Sequence, residues 1–201
     1  MTVAQAPTNA EPSPTAAWSR RVRRIGGLIQ LAFAAFWLVR GSLTIGGPPG
    51  LALAGVSGAL AIAAAAYGIR VTATLAPRPS GPEASRIERA ITAATLLQLI
   101  ASFAAPAIVI ATGHPAWVLP SIAVTIGPLL LWLDHRVHIP RYRPIGWTLI
   151  LGPVLLTATL ADTALAATTG ITAGLLLLTT ATAGFHDLAS GRPPPSPNRQ
   201  S

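Results

Sequence analysis

The sequence predicts an all-α, polytopic membrane helix bundle with six transmembrane helices and both termini on one side. Three observations predict it. Of 201 residues 51% are hydrophobic and only 10% charged, with a mean hydropathy of +0.56; a water-soluble domain needs more polar surface than that. Six apolar stretches each approach the ~20 residues that cross a ~30 Å hydrocarbon core at ~1.5 Å per residue. Finally, the arginines fall almost wholly on alternate connections between those stretches.

Residues 1–17 are rich in Pro, Thr, Ala and Asn and lack periodicity, which predicts a disordered tail. The domain organisation follows as a tail over 1–19, a transmembrane domain over 20–189 and a second tail over 190–201, where Pro193-Pro194-Pro195 and Pro197 lie. Arg20, Arg21, Arg23 and Arg24 precede the first apolar run, as they would in a secretory signal. That run extends from Ile25 to about Ile45, contains Trp37 and Arg40, and is followed at once by a second span. It therefore reads as an uncleaved helix.

The spans are predicted at 25–45, 51–70, 90–111, 116–134, 145–167 and 170–189. Breakers separate them: Gly46-Gly47-Pro48-Pro49-Gly50, a 76–88 loop with Pro77, Pro79 and Pro82, Gly113-His114-Pro115, a 135–144 loop with Pro140 and Pro144, and Thr168-Thr169-Gly170. The count allows three helix hairpins, 25–70, 90–136 and 145–189, or two inverted three-helix halves. Four arginines flank the N-terminal side of the first span. Arg70, Arg78, Arg86 and Arg89 surround the second connection, Arg136, Arg141 and Arg143 the fourth, and Arg192 and Arg199 lie in the tail. That is 4+4+3+2 = 13 against Arg40 alone, so both termini are expected in the cytoplasm and the chain in the inner (plasma) membrane.

Composition also excludes chemistry. Without cysteine there is no disulfide, thiolate metal site, iron–sulfur cluster or cysteine nucleophile. All fourteen basic residues are arginine, a bias that a GC-rich genome explains as well as selection does. The net charge of +8 sits in short loops beside apolar spans, not along a groove, so anionic lipid headgroups are the expected counter-charge and nucleic acid is not. Asp134-His135-Arg136-Val137-His138 and His186-Asp187 contain metal-ligating types, but Arg136, Arg141 and Arg143 raise the potential where a cation would bind. No phosphate-cradling loop, hydrolase elbow, zinc-peptidase motif or dinucleotide fingerprint occurs, so neither metal nor cofactor is predicted and an enzyme is the least favoured class.

One stretch carries a resemblance. Gly127-Pro128-Leu129-Leu130-Leu131-Trp132-Leu133, followed by Pro140, Tyr142 and Gly146, resembles a pattern in small uncharacterised bacterial six-helix integral membrane proteins. The matching positions are Gly127, Leu133, Pro140, Tyr142 and Gly146; Leu129 stands where that group has His, and Trp132 where it has Pro. The resemblance implies six-span architecture and brings no activity with it.

Two ionisable residues fall inside predicted spans. Counted from Ile25 and Ile145, Arg40 and Asp162 both lie ~22–26 Å from the cytoplasmic edge. Charges in hydrocarbon seek partners, so an Arg40–Asp162 ion pair is one expectation, and snorkelling of each to the outer surface is the other. Thr159 and Thr163 beside Asp162 could line a polar path, or simply bond to the carbonyl one turn back. Gln98 and Gln30 each need an interhelical partner or a wet cavity. Gly170-Ile171-Thr172-Ala173-Gly174 is a GxxxG segment suited to close helix approach, within the chain or between copies. The functional expectation is a non-enzymatic accessory or interaction subunit, as a homo-oligomer or with another membrane protein. The alternative is a small transporter or channel using Arg40, Asp162, Gln98 and the threonine-rich fifth and sixth spans.

Overall fold

The computed structural model describes residues 14–72, 81–137 and 139–190. Among them are six helices, α1 (Pro14–Ile45), α2 (Gly47–Thr72), α3 (Pro82–Ala111), α4 (Val118–Val137), α5 (Tyr142–Leu156) and α6 (Asp162–Ala189), with a short 3-10 turn at Pro115–Trp117 and no strand. Helix α1 begins at Pro14, inside the stretch expected to be a tail. The remainder of both expected tails, 1–13 and 191–201, lies outside the described residues.

Five stretches are long and apolar enough to cross a membrane: Arg24–Ile45, Gly47–Val71, Pro82–Ala111, Pro115–Arg136 and Asp162–Ala189. Helix α5 is the exception. Its 15 residues span only ~22 Å, short of a ~30 Å core.

Local chemistry accounts for the helix ends. Between α1 and α2 the chain reverses at Gly46 and Gly47, whose φ angles of 75° and 60° are open only to a residue without Cβ strain. Pro48 and Pro49 occupy the first turn of α2, where their missing N–H groups leave nothing unsatisfied. Helix α3 closes on Gly113 (φ 81°), with the His114 N–H donating to the Val109 carbonyl and the Gly113 N–H to that of Ile110.

The fifth span departs from expectation. A single helix was predicted over 145–167 with a break at Thr168-Thr169-Gly170; instead the chain turns at 157–161 and α6 runs unbroken through Gly170. Thr157 Oγ1 donates to the Val154 carbonyl at 2.6 Å and Thr159 Oγ1 to that of Leu156 at 3.2 Å, local bonds that compete with helix continuation. Ala161 is extended (ψ 156°), and Asp162 opens α6 as an acidic first-turn residue that the helix dipole favours. Gly170, the expected breaker, is a packing surface.

Helices α1 and α6 form the most intimate pair. A Cβ added at Gly170 would lie 2.7 Å from Gly41 Cα, and one at Gly174 2.9 Å from the Leu38 backbone nitrogen, so small residues bring the two backbones together. Helix α2 packs on this pair, and α4 is sandwiched between α3 and α5. The main core gathers Ala34 and Trp37 of α1, Leu119, Ala123 and Leu130 of α4, Leu149 of α5, and Ala173 and Leu177 of α6. Helix α5 packs chiefly on α4 and only lightly on α6, so the third of the expected hairpins is not a tightly packed pair.

The glycines of the resemblance motif sit at the α4–α5 contact: a Cβ on Gly127 would lie 2.7 Å from the Gly146 carbonyl oxygen, and one on Gly146 2.9 Å from that of Gly127. At the end of the bundle where α1 begins, Phe185 of α6 is fully buried against Gly27 of α1 and Gly68 of α2. Gly27 and Gln30 of α1, the start of α5 and the ends of α2 and α6 thus meet at one end.

Candidate functional site

The expected Arg40–Asp162 pair does not form: both residues are exposed, and no ion pair joins them among the described residues. The reason is register. Gly41 stands against Gly170, and Asp162 precedes Gly170 by eight residues, so it lies ~12 Å farther along the seam. The equal depth expected for the two rested on a continuous helix from Ile145, which the turn at 157–161 removes.

Thr159 and Thr163 are exposed beside Asp162, and Thr159 bonds to its own chain. The same local pattern recurs along α6, where Thr179, Thr180 and Thr182 each donate to a carbonyl one turn back, at 2.6–2.8 Å. These hydroxyls are used within their helices and line no common path.

Gln98 does find a partner across helices. Its Nε2 donates to Ser102 Oγ at 2.8 Å and to Thr125 Oγ1 of α4 at 3.3 Å, tying α3 to α4. Trp37 Nε1 and Ser42 Oγ of α1 and Thr169 Oγ1 of α6 are buried without a hydrogen-bond partner among the described residues. All three lie on the two helices of the central seam.

The polar groups that do converge are at the end where α1 begins. Arg141, at the start of α5, pairs with Asp187 near the end of α6 at 2.5 Å, with Arg141 43% and Asp187 17% exposed. Behind the pair lies a cavity of about 90 Å³ whose walls include Gly27 and Gln30 of α1, Arg141, and Thr180, Gly184 and Asp187 of α6. Gln30 makes no hydrogen bond to the protein among the described residues, so its amide is left to the cavity. A space of this size admits several waters.

The sequence leaves Gln30 either an interhelical partner or a wet cavity, and it does not say that Arg141 and Asp187 meet. Nothing in the linear pattern says which helix ends meet. Among the described residues no three His, Asp or Glu side chains gather as metal ligands; Asp187 is engaged by Arg141, and His138 lies outside the described residues.

Comparison with protein-family models, with curated proteins and with solved structures finds no match to this chain. Its function must therefore be argued from its own geometry.

Proposed function

We propose that this chain is a multi-pass integral membrane protein of the inner membrane that acts as a non-enzymatic interaction or accessory subunit. The observation that carries the reading is α3. Over its 30 residues only Ala84 is buried, and Leu97, Ile100 and Phe103 are 65–73% exposed. So long an apolar face is at home only against lipid or another membrane helix. A transporter needs polar groups converging near mid-depth, whereas Gln98 is spent on α4 and Thr179, Thr180 and Thr182 on carbonyls of their own helix.

Both termini belong in the cytoplasm on this reading, because thirteen of the fourteen arginines fall on the terminal flanks and alternate connections of the sequence, against Arg40 alone. Those guanidinium groups attract anionic headgroups, each worth about 1 kcal/mol near the surface. A second copy, or another membrane protein, is the partner expected along α3.

The absence of cysteine makes the test direct. In intact cells a membrane-impermeant maleimide should label His114→Cys, and should label Ser190→Cys only after lysis; the reverse pattern inverts the orientation. Photo-crosslinkers at Ile100 and Phe103 should give one discrete protein adduct. Lipid adducts alone, or solute flux through the purified protein in liposomes, would overturn the accessory role.

A further inference from the structure

The cavity behind Arg141 and Asp187 has a wall chemistry that selects a kind of guest. The two charged groups that line it among the described residues neutralise one another. The Gln30 amide offers two N–H donors and a carbonyl acceptor, none of them used by the protein. Thr180 is buried and its hydroxyl donates to the Leu176 carbonyl at 2.6 Å, which leaves its oxygen lone pairs to accept. Gly27 and Gly184 keep the walls thin: at Gly184 an added Cβ meets nothing within 4 Å. Buried Ala181 supplies an apolar surface.

We propose that this cavity is a binding site for one small uncharged solute that both donates and accepts hydrogen bonds, a molecule of the size of acetamide or urea. An anion entering here would face the Asp187 carboxylate, and a cation the Arg141 guanidinium; either would have to break the existing pair and leave one charge uncompensated. A neutral donor–acceptor molecule instead completes the Gln30 amide and the Thr180 oxygen while leaving the pair intact. A guest of four heavy atoms binds weakly, with half-occupancy on the order of millimolar. The site needs neither the orientation nor the accessory role proposed above.

The test uses full-length Gly184→Cys protein in native membrane vesicles, with the small neutral thiol reagent methyl methanethiosulfonate and a mass-spectrometric readout. Ala181→Cys, on the apolar wall, is a second reporter should Gly184→Cys misfold, and Ser190→Cys is the exposed control. The cavity cysteine should be modified, and acetamide should slow that modification at least threefold without changing the Ser190→Cys rate. Acetate, the charged isostere, should not protect. Adding Gln30→Leu to Gly184→Cys should abolish protection by acetamide while labelling continues. A rate unchanged by acetamide, which means a cavity that holds water only, overturns the proposal. So does equal protection by acetate, or protection that survives Gln30→Leu.

Discussion

Gly41 of α1 and Gly170 of α6 face each other so closely that a Cβ on Gly41 would lie 2.9 Å from Gly170 Cα, and one on Gly170 2.7 Å from Gly41 Cα. The obstacle on each side is backbone, which cannot swing aside. In a membrane, association rests on such packing because lipid tails are as apolar as the side chains. Gly41→Val or Gly170→Val should therefore cost about 1–3 kcal/mol. Gly58→Ala on α2, where nothing lies within 4 Å, should be neutral or slightly stabilising. Thermal midpoints of the detergent-solubilised protein rank the three.

Arg40 and Asp162 should behave as strangers. With ~12 Å of register between them and no shared partner, a double-mutant cycle of Arg40→Gln and Asp162→Asn should return a coupling within about 0.5 kcal/mol of zero. Arg141 and Asp187 should couple by about 0.5–1 kcal/mol, and less in high salt, because Arg141 is 43% exposed. A larger coupling for the first pair than for the second would mean that the α1–α6 register is wrong.

What was legible in the sequence and what was not divides along a physical line. Apolar length, which depends on local composition, locates the spans 25–45, 51–70 and 116–134 to within about a turn of the apolar stretches Arg24–Ile45, Gly47–Val71 and Pro115–Arg136. The polar start of α3 at Pro82 reads as loop by hydropathy, although Pro at the first helical position is itself a start signal. The fifth span failed because hydropathy ignores hydroxyl groups that bond to their own backbone: Thr157, Thr159 and Asp162 together spell a helix end followed by a helix start. Gly170 was read as a breaker and as half of a packing motif at once. Only the partner, Gly41, decides between the two, and a partner 129 positions away is invisible to a local window. The cavity was hidden for the same reason, being assembled from α1, α5 and α6.

Ser42 is fully buried and its hydroxyl has no hydrogen-bond partner. Removing an unsatisfied buried polar atom without changing shape is nearly neutral or stabilising. Ser42→Ala should therefore hold or raise the thermal midpoint, and Thr169→Val should do the same. A clear loss in either variant would show that these hydroxyls are bonded after all, for example through an ordered water.

The turn at 157–161 makes a prediction that a continuous fifth span does not. If the helix ran on to 167, position 158 would sit within hydrocarbon, about three-fifths of the way along the span. With α5 ending at Leu156 and the chain turning there, Ala158→Cys should react with a water-borne maleimide from the same side as His114→Cys. Val154→Cys, exposed on the last helical turn, should resist it. Protection at both positions would restore the longer helix and return Asp162 to the membrane interior.

Phe185 ties three helices at the end opposite that turn. Its ring is fully buried, with the would-be Cβ positions of Gly27 and Gly68 falling 2.8 and 2.6 Å from it. Phe185→Ala empties that space and should cost about 3–5 kcal/mol. Gly68→Ala alone should also destabilise, because the new methyl meets the ring. In the Phe185→Ala background the obstacle is gone, and the exchange of glycine for alanine in a helix then contributes up to ~1 kcal/mol. The sign of the Gly68→Ala effect should thus reverse between the two backgrounds. A propensity effect alone would be favourable in both, and a loosely held ring would give no cost in either. The double-mutant cycle therefore reads the packing of α1, α2 and α6 at this end, independently of anything the protein binds.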